Sequence, residues 1–305
     1  MQALDLAGII PATVTPMTED LQVDVDALRS YMEWLLDQGV HGVAVNVDTG
    51  EGPQLDPAER LLVVETVRDA VGDQVPVVSG LAPGWTKRVV EAARNLKDAG
   101  ADALLVFPPS AFRGTPLPPE PPVAYYREIG EGADVPLVLF QLQDSLGGVE
   151  YPIDVLTAIA GLEHVVAIKE ATFDEQKFCD AVAALRQAAT DVSILTGNDN
   201  FIYRSFVLGA QGALIGFGTV ATRLQVEMFE AHVAGDATRA AALADRLQPL
   251  ADAVFGAPVR DYRARTKAVL EMEGVIPSAA LRAPLQPVSD DERGRLRAAF
   301  DAVGA

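Results

Sequence analysis

Gly100-Ala-Asp-Ala-Leu-Leu-Val-Phe107 has two near copies in the chain, Gly39-Val-His-Gly-Val-Ala-Val-Asn-Val47 and Gly209-Ala-Gln-Gly-Ala-Leu-Ile-Gly216. Each follows a helix-like segment and reads as glycine at the helix end, a two-residue turn and a short buried strand. A second set interleaves with the first: Val75-Pro-Val-Val-Ser-Gly80, Val135-Pro-Leu-Val-Leu-Phe140 and Val192-Ser-Ile-Leu-Thr-Gly197. Within each set the early members lie about 60 residues apart, roughly two strand-plus-helix units. Adding the opening Gly8-Ile-Ile-Pro-Ala-Thr-Val-Thr15 and the segment Val165-Val-Ala-Ile-Lys-Glu-Ala-Thr172 predicts eight strands, starting near residues 8, 42, 76, 103, 136, 165, 193 and 212.

The segments between them have helical spacing. Leu28, Met32, Leu35 and Leu36 form one apolar stripe, and Leu61, Leu62, Val64 and Val67 another. Asp56-Pro-Ala-Glu59 reads as an N-cap, a first-turn proline and an acidic first turn. Short apolar strands alternating with helices predict a parallel sheet covered by helices, and eight units suit a (β/α)8 TIM barrel. The rival is an open doubly wound sheet, but no G-x-G-x-x-G follows the first strand. Past residue 222 the strand pattern stops, and 224–256, 260–273 and 290–303 read as extra helices. The expected division is a barrel over 1–222 and a C-terminal helical extension over 223–305, packed on the barrel or building a subunit interface.

Net charge is −19, from 24 basic and 43 acidic residues, which argues against nucleic acid or an anionic membrane as partner. No apolar run approaches the roughly 20 residues of a membrane helix, and the N-terminus lacks the pattern of a signal peptide. The single cysteine, Cys179, fits a reducing cytoplasm and reads as a small buried helix residue. His41, His164 and His232 show no metal-ligand spacing, so neither metal nor cofactor is expected.

Chemistry in a barrel gathers at the C-terminal strand ends. Lys169 sits there on the sixth strand, with Ala167 and Val165 expected on its face and Glu170 turned towards the helices. Burial lowers a lysine pKa, and a neutral amine attacks a carbonyl to form a Schiff base. The competing reading is a solvated or ion-paired strand-end lysine. Asn46-Val-Asp-Thr-Gly-Glu-Gly52 leaves the second strand at the same face. Its glycines allow a nest of backbone N–H groups that, with the Thr49 hydroxyl, would hold a carboxylate; an ordinary glycine turn is the alternative.

These pieces together resemble the dihydrodipicolinate synthase/N-acetylneuraminate lyase family, class I pyruvate-type aldolases on a (β/α)8 barrel. The resemblance spans nearly the whole chain: Gly8-Ile-Ile-Pro-Ala-Thr-Val-Thr-Pro-Met17, the second-strand loop, Ile168-Lys-Glu-Ala-Thr172, Thr196-Gly-Asn-Asp-Asn200, Gly209–Gly216 and Arg282-Ala-Pro-Leu285. It implies a Schiff base at Lys169 and a small 2-oxo acid as substrate. The family's G-T-T-G-E loop falls on Val47-Asp-Thr-Gly-Glu51, so Thr49 and the Gly50 backbone would hold the substrate carboxylate. Phe140 and Ile215 would line the pocket. A homo-oligomer, tetramer or dimer, is also implied.

The match breaks at the fifth strand. The family's catalytic tyrosine is replaced by Phe140 in Phe140-Gln-Leu-Gln143, and Asp144-Ser-Leu-Gly147 lacks the expected arginine. Pro109 and Ser110 stand where many members carry two tyrosines. Asp48, in place of the loop's first threonine, is the economical substitute acid/base, although its charge would raise the lysine pKa against burial. The leading expectation is therefore a Schiff-base lyase or aldolase other than a standard dihydrodipicolinate synthase. The alternative is a catalytically impaired ligand-binding or regulatory homologue. A phosphate-handling barrel resting on Gly216 and Gly218 is a third reading. Arg113, Asn198 and Asp199 are expected as solvated or turn-forming residues before ligand-reaching ones.

Overall fold

The computed structural model describes residue 4 and residues 6–304. Eight strands, β1 Gly8–Pro11, β2 Val43–Val45, β3 Val77–Leu81, β4 Ala103–Val106, β5 Leu137–Leu142, β6 Val165–Ala171, β7 Ser193–Thr196 and β8 Gly212–Ile215, begin at or within one residue of the expected positions. All neighbours pair in parallel, in the order β1-β8-β7-β6-β5-β4-β3-β2. A parallel bridge from Ala12 to Ala44 brings the two ends together, so the sheet is a nearly closed (β/α)8 barrel.

Seven helices connect the strands: α1 Val25–Asp37, α2 Pro57–Val71, α3 Thr86–Asp98, α4 Glu120–Ala133, α5 Ile153–Ala160, α6 Glu175–Gln187 and α7 Ile202–Leu208. Their ends follow local chemistry. Asp56 and Glu59 form a reciprocal capping box at α2. Gly100 and Gly209 leave their helices at φ 112° and 115°, where a side chain would be strained. The α2 stripe is shifted from expectation: Val63 is buried and Leu62 exposed, because a 15-residue helix presents Val63, Val64 and Val67 to the barrel together.

Alternation along the strands divides the apolar residues into two layers. Ala103, Leu105, Val138, Leu195 and Leu214 fill the barrel, while Leu104, Val106, Leu137, Leu139 and Ile194 pack against helices. Two expectations fail on this alternation. A register shift opposite Leu137/Val138 turns Val165 towards the helices, so it does not share the face of Lys169. Ile215 follows inward Leu214 and joins the helix-facing layer, so it does not line the pocket; Gly216 does.

The 224–256 segment is two helices, α8 Thr222–Val233 and α9 Ala237–Phe255, separated by Gly235 at φ 77°. α8 follows β8 and packs against β1 and α9. α10 Tyr262–Glu273 and α11 Asp290–Val303 complete the chain. Among the described residues no helix is long and apolar enough to cross a membrane.

Candidate active site

Lys169 lies in the ladder between Phe140 of β5 and Leu195 of β7, pointing into the barrel between Ala167 and Ala171. Gly197, at the end of β7, leaves it room: a Cβ there would come within 2.7 Å of Lys169 Cε. Nζ sits 4.6 Å from the centroid of the Phe140 ring, which Phe107 meets edge-to-face at 5.1 Å. Among the described residues nothing accepts a hydrogen bond from this amine. It opens instead into a narrow cleft at the strand ends, whose empty space is about 480 Å³ with the open solvent at its mouth included.

Burial dominates the titration of this amine. It pushes Lys169 down to about 8, against the opposing charges of Asp199 and, less strongly, Asp48. Asp199 is pushed up to about 7 by the same desolvation, despite the Phe217 amide donating to its Oδ1 at 2.8 Å and the charge of Lys169. The two groups are thereby brought close in proton affinity, which makes proton exchange between the amine and the carboxylate easier than at their ordinary values. The bland turn reading of Asp199 is therefore corrected: it is a buried pocket residue. Asn198 beside it is structural, donating to Glu170 Oε2 at 2.7 Å and accepting from the Phe173 amide at 2.6 Å. Glu170 faces away from the barrel interior as expected, and burial pushes it up to about 7.

The opposite wall comes from the β2 loop and α10. Val47, Asp48 and Thr49 reach the cleft. Tyr262, the first residue of α10, donates its phenol to Asp48 Oδ2 at 2.9 Å and lies 3.4 Å from Thr49 Oγ1. Burial, followed by the charge of Asp48, raises that phenol well above its ordinary pKa, so it stays protonated. Phe255 stacks on its ring at 5.0 Å. Arg263 forms an ion pair with Asp48 through Nη2 and holds the Asp48 carbonyl through Nε at 2.9 Å. Asp48 is thus part of an Asp48–Tyr262–Arg263 cluster. The Gly50 amide, expected to bind a carboxylate, donates to Val47 O at 3.1 Å instead. A Cβ at Gly50 would approach Thr13 O at 2.8 Å, so this glycine serves close packing.

Two further contacts fix the loop. Glu51 and Lys267 of α10 form an ion pair with both side chains fully buried. The remaining bonding capacity is used by Ala280 O, which accepts from Lys267 Nζ at 2.7 Å, and by the Arg282 amide, which donates to Glu51 Oε2 at 2.9 Å. Arg282 itself reaches Glu59 Oε2 at 2.7 Å and Leu21 O at 2.7 Å, tying the tail to the first turn of α2 and the loop after β1.

Arg113 is held away from the cleft, donating to Gly148 O at 2.8 Å. Cys179 is half-buried on α6 rather than enclosed. Sequence reasoning missed Tyr262 and Arg263 because the tail helices read as packing elements. The available signal was the polar run Tyr262, Arg263, Arg265, Thr266 and Lys267 ahead of the apolar stretch Ala268-Val-Leu270 in the same helix.

Fold and site together define a parallel-barrel protein with a desolvated, unpartnered amine at the barrel mouth. The chain belongs to the dihydrodipicolinate synthetase family, whose match spans residues 5–303. It is 34% identical over 291 residues to the 4-hydroxy-tetrahydrodipicolinate synthase of Methanothrix thermoacetophila, covering 95% of this chain and 94% of that one. An uncharacterized DapA-like lyase of Halobacterium salinarum is 30% identical over 301 residues, 99% of this chain and 95% of the relative. Among solved structures, a dihydrodipicolinate synthase from Acinetobacter baumannii complexed with pyruvate superposes at TM-score 0.85 with 26% identity, over 98% of each chain. A monomeric dihydrodipicolinate synthase variant superposes at 0.90 with 26% identity, over 98% and 97%.

Proposed function

We propose that this protein is a class I aldolase-type lyase, one that forms a Schiff base between Lys169 and a small 2-oxo acid of the pyruvate type. The observation that carries the reading is the unpartnered amine, lowered to about 8 by burial, facing Thr49 and Tyr262 across one cleft. At pH 7 about one such amine in ten is free, against about one in three thousand at the ordinary pKa.

The chemistry follows from these groups. The neutral amine adds to C2 of the 2-oxo acid, and loss of water leaves an iminium that draws electrons from C3. Thr49 holds the carboxylate. The Tyr262 oxygen accepts the C3 proton as its own proton passes to Asp48 Oδ2, so no phenolate has to form beside a carboxylate. Arg263 keeps Asp48 oriented. Running the same two proton shifts backwards protonates carbon or a leaving oxygen. Phenol, carboxylate and guanidinium thus take the part expected from the strand-five tyrosine, and the reading is of a lyase distinct from a standard dihydrodipicolinate synthase.

The test is incubation with pyruvate and borohydride followed by peptide mapping. An adduct is expected on Lys169; folded protein that traps no 2-oxo acid from a broad panel overturns the reading. A second reading, a ligand-binding homologue without turnover, is favoured by the Asp48–Arg263 ion pair, which ties down the would-be base. Turnover abolished by Asp48→Asn rules it out. Family membership also supports a homo-oligomer, dimer or tetramer, which sedimentation at micromolar concentration checks.

A further inference from the structure

The cleft is chemically two-sided. Asp48, Thr49, Lys169, Asp199 and Tyr262 supply its polar atoms, and all come from β2, β6, β7 or α10. The remaining wall, from the ends of β4 and β5 and the turn after β5, is hydrocarbon: Phe107, Phe140, Leu142 and Leu146, with Phe173 after β6 closing it. Among the described residues that line the cleft, Lys169 is the only cation, so this wall offers none to a distal carboxylate or phosphate. Arg263 is paired with Asp48, and Arg113, in the loop after β4, spends its Nε on the Gly148 carbonyl. The protein's net charge of −19 gives a second anionic group no help from the long-range field.

We propose that the carbonyl compound joined to, or released from, the 2-oxo acid is an apolar aldehyde with a flat ring, lodged between Phe107, Phe140, Leu142 and Phe173. This rests on the Schiff-base reading of Lys169. The enamine carbon C3 attacks the aldehyde carbon to form the carbon–carbon bond. The aldehyde oxygen takes the proton that C3 gave to the Tyr262–Asp48 relay. Water then hydrolyses the iminium, releasing a 4-hydroxy-2-oxo acid and the free amine, so atoms and charge balance. The narrowness of the cleft and the edge-to-face ring pair at its wall suit a planar substituent. A polyhydroxylated aldehyde would leave its hydroxyls without partners on that wall, and an anionic one would bury an unpaired charge there.

The experiment begins with the borohydride trap, using pyruvate and the full chain. Condensation is then assayed with pyruvate and three aldehydes: benzaldehyde, glyceraldehyde and succinic semialdehyde. The expected result is kcat/KM for benzaldehyde at least about 30-fold above either other, equivalent to about 2 kcal/mol of transition-state preference. Leu146→Arg is expected to narrow that ratio at least about tenfold in favour of succinic semialdehyde, by placing a cation on the hydrocarbon wall. If pyruvate traps at Lys169 and a polar aldehyde is preferred, or none of the three reacts, the apolar assignment is overturned while the Schiff-base reading stands. If pyruvate and the wider 2-oxo-acid panel leave no adduct, that reading fails and takes this proposal with it.

Discussion

The two walls of the cleft differ in origin as much as in chemistry. The strand wall, from β4 to β6, consists of hydrocarbon around one amine, and its side chains are set by ladder positions within the barrel. The other wall carries the proton-handling groups, and one of them, Tyr262, arrives from α10, more than 200 residues along the chain: Tyr262 and Asp48 are 214 positions apart. The first wall desolvates; the second positions protons. Separating the two tasks lets the amine stay in a dry environment that lowers its pKa, while charged Asp48 and Arg263 neutralise one another at the rim.

The most damaging test of the strand wall is Lys169→Met, which is expected to abolish trapping and turnover. The same change should stabilise the fold. The folded-state pKa is lowered from 10.5 to about 8, so the unfolded chain binds more protons between those values. Wild-type stability contributed by this group therefore rises with pH through that interval, and the penalty is full below pH 8. Its upper bound is about 3 kcal/mol. Denaturant titrations at pH 7 and pH 10 should show the methionine variant ahead at pH 7 and its advantage shrinking at pH 10. A less stable variant at pH 7 would mean the ammonium is well solvated.

Tyr262→Phe tests the polar wall. It keeps the ring on Phe255 and removes the proton carrier, so kcat is expected to fall by about 10²–10⁴. The rate of adduct formation with pyruvate, which needs the amine more than the relay, should fall less. Equal losses in both would make Tyr262 a general packing residue.

Lys267→Met asks whether α10 is docked by its buried ion pair. Leaving the Glu51 carboxylate buried without its partner should cost about 3–5 kcal/mol in unfolding experiments. The double variant Lys267→Met/Glu51→Leu should recover part of that loss. Failure of the double variant to recover any would place the stabilisation elsewhere, for example in the Arg282 contacts.

The two walls were unequally legible. Strand starts, the mouth position of Lys169 and the α2 capping box follow from short-range patterns: apolar alternation, glycine at helix ends, Asp-Pro-x-Glu. The bulge that turns Val165 outwards depends on pairing with β5, and the orientation of Ile215 depends on which alternate residue faces in. Neither is encoded within its own segment. Tyr262 and Arg263 were hidden for a related reason: what they do is defined by a loop that follows β2, not by their neighbours in α10. Asp199 was misread because Asn-Asp after a strand ordinarily makes a solvated turn, whereas here the Phe217 amide holds it inside.

Phe140→Tyr is the smallest perturbation and the sharpest discriminator between the walls. It places a phenol on the strand where the family resemblance leads one to expect it. In the wild-type background the hydroxyl enters a hydrocarbon surface beside Phe107, and kcat is expected to change by less than about tenfold. In the Tyr262→Phe background the same phenol should recover less than about tenfold of the lost rate, because Asp48 and Arg263 are arranged around Tyr262 on the opposite wall. Recovery of most of the loss would show that a phenol serves from either wall, and that the position of Asp48 is not what makes the relay work. The pH profile separates the two cases further. A relay through Asp48 leaves the ascending limb to Lys169, with rates rising as pH approaches about 8; a free phenol acting from Phe140→Tyr would add a second titration above that.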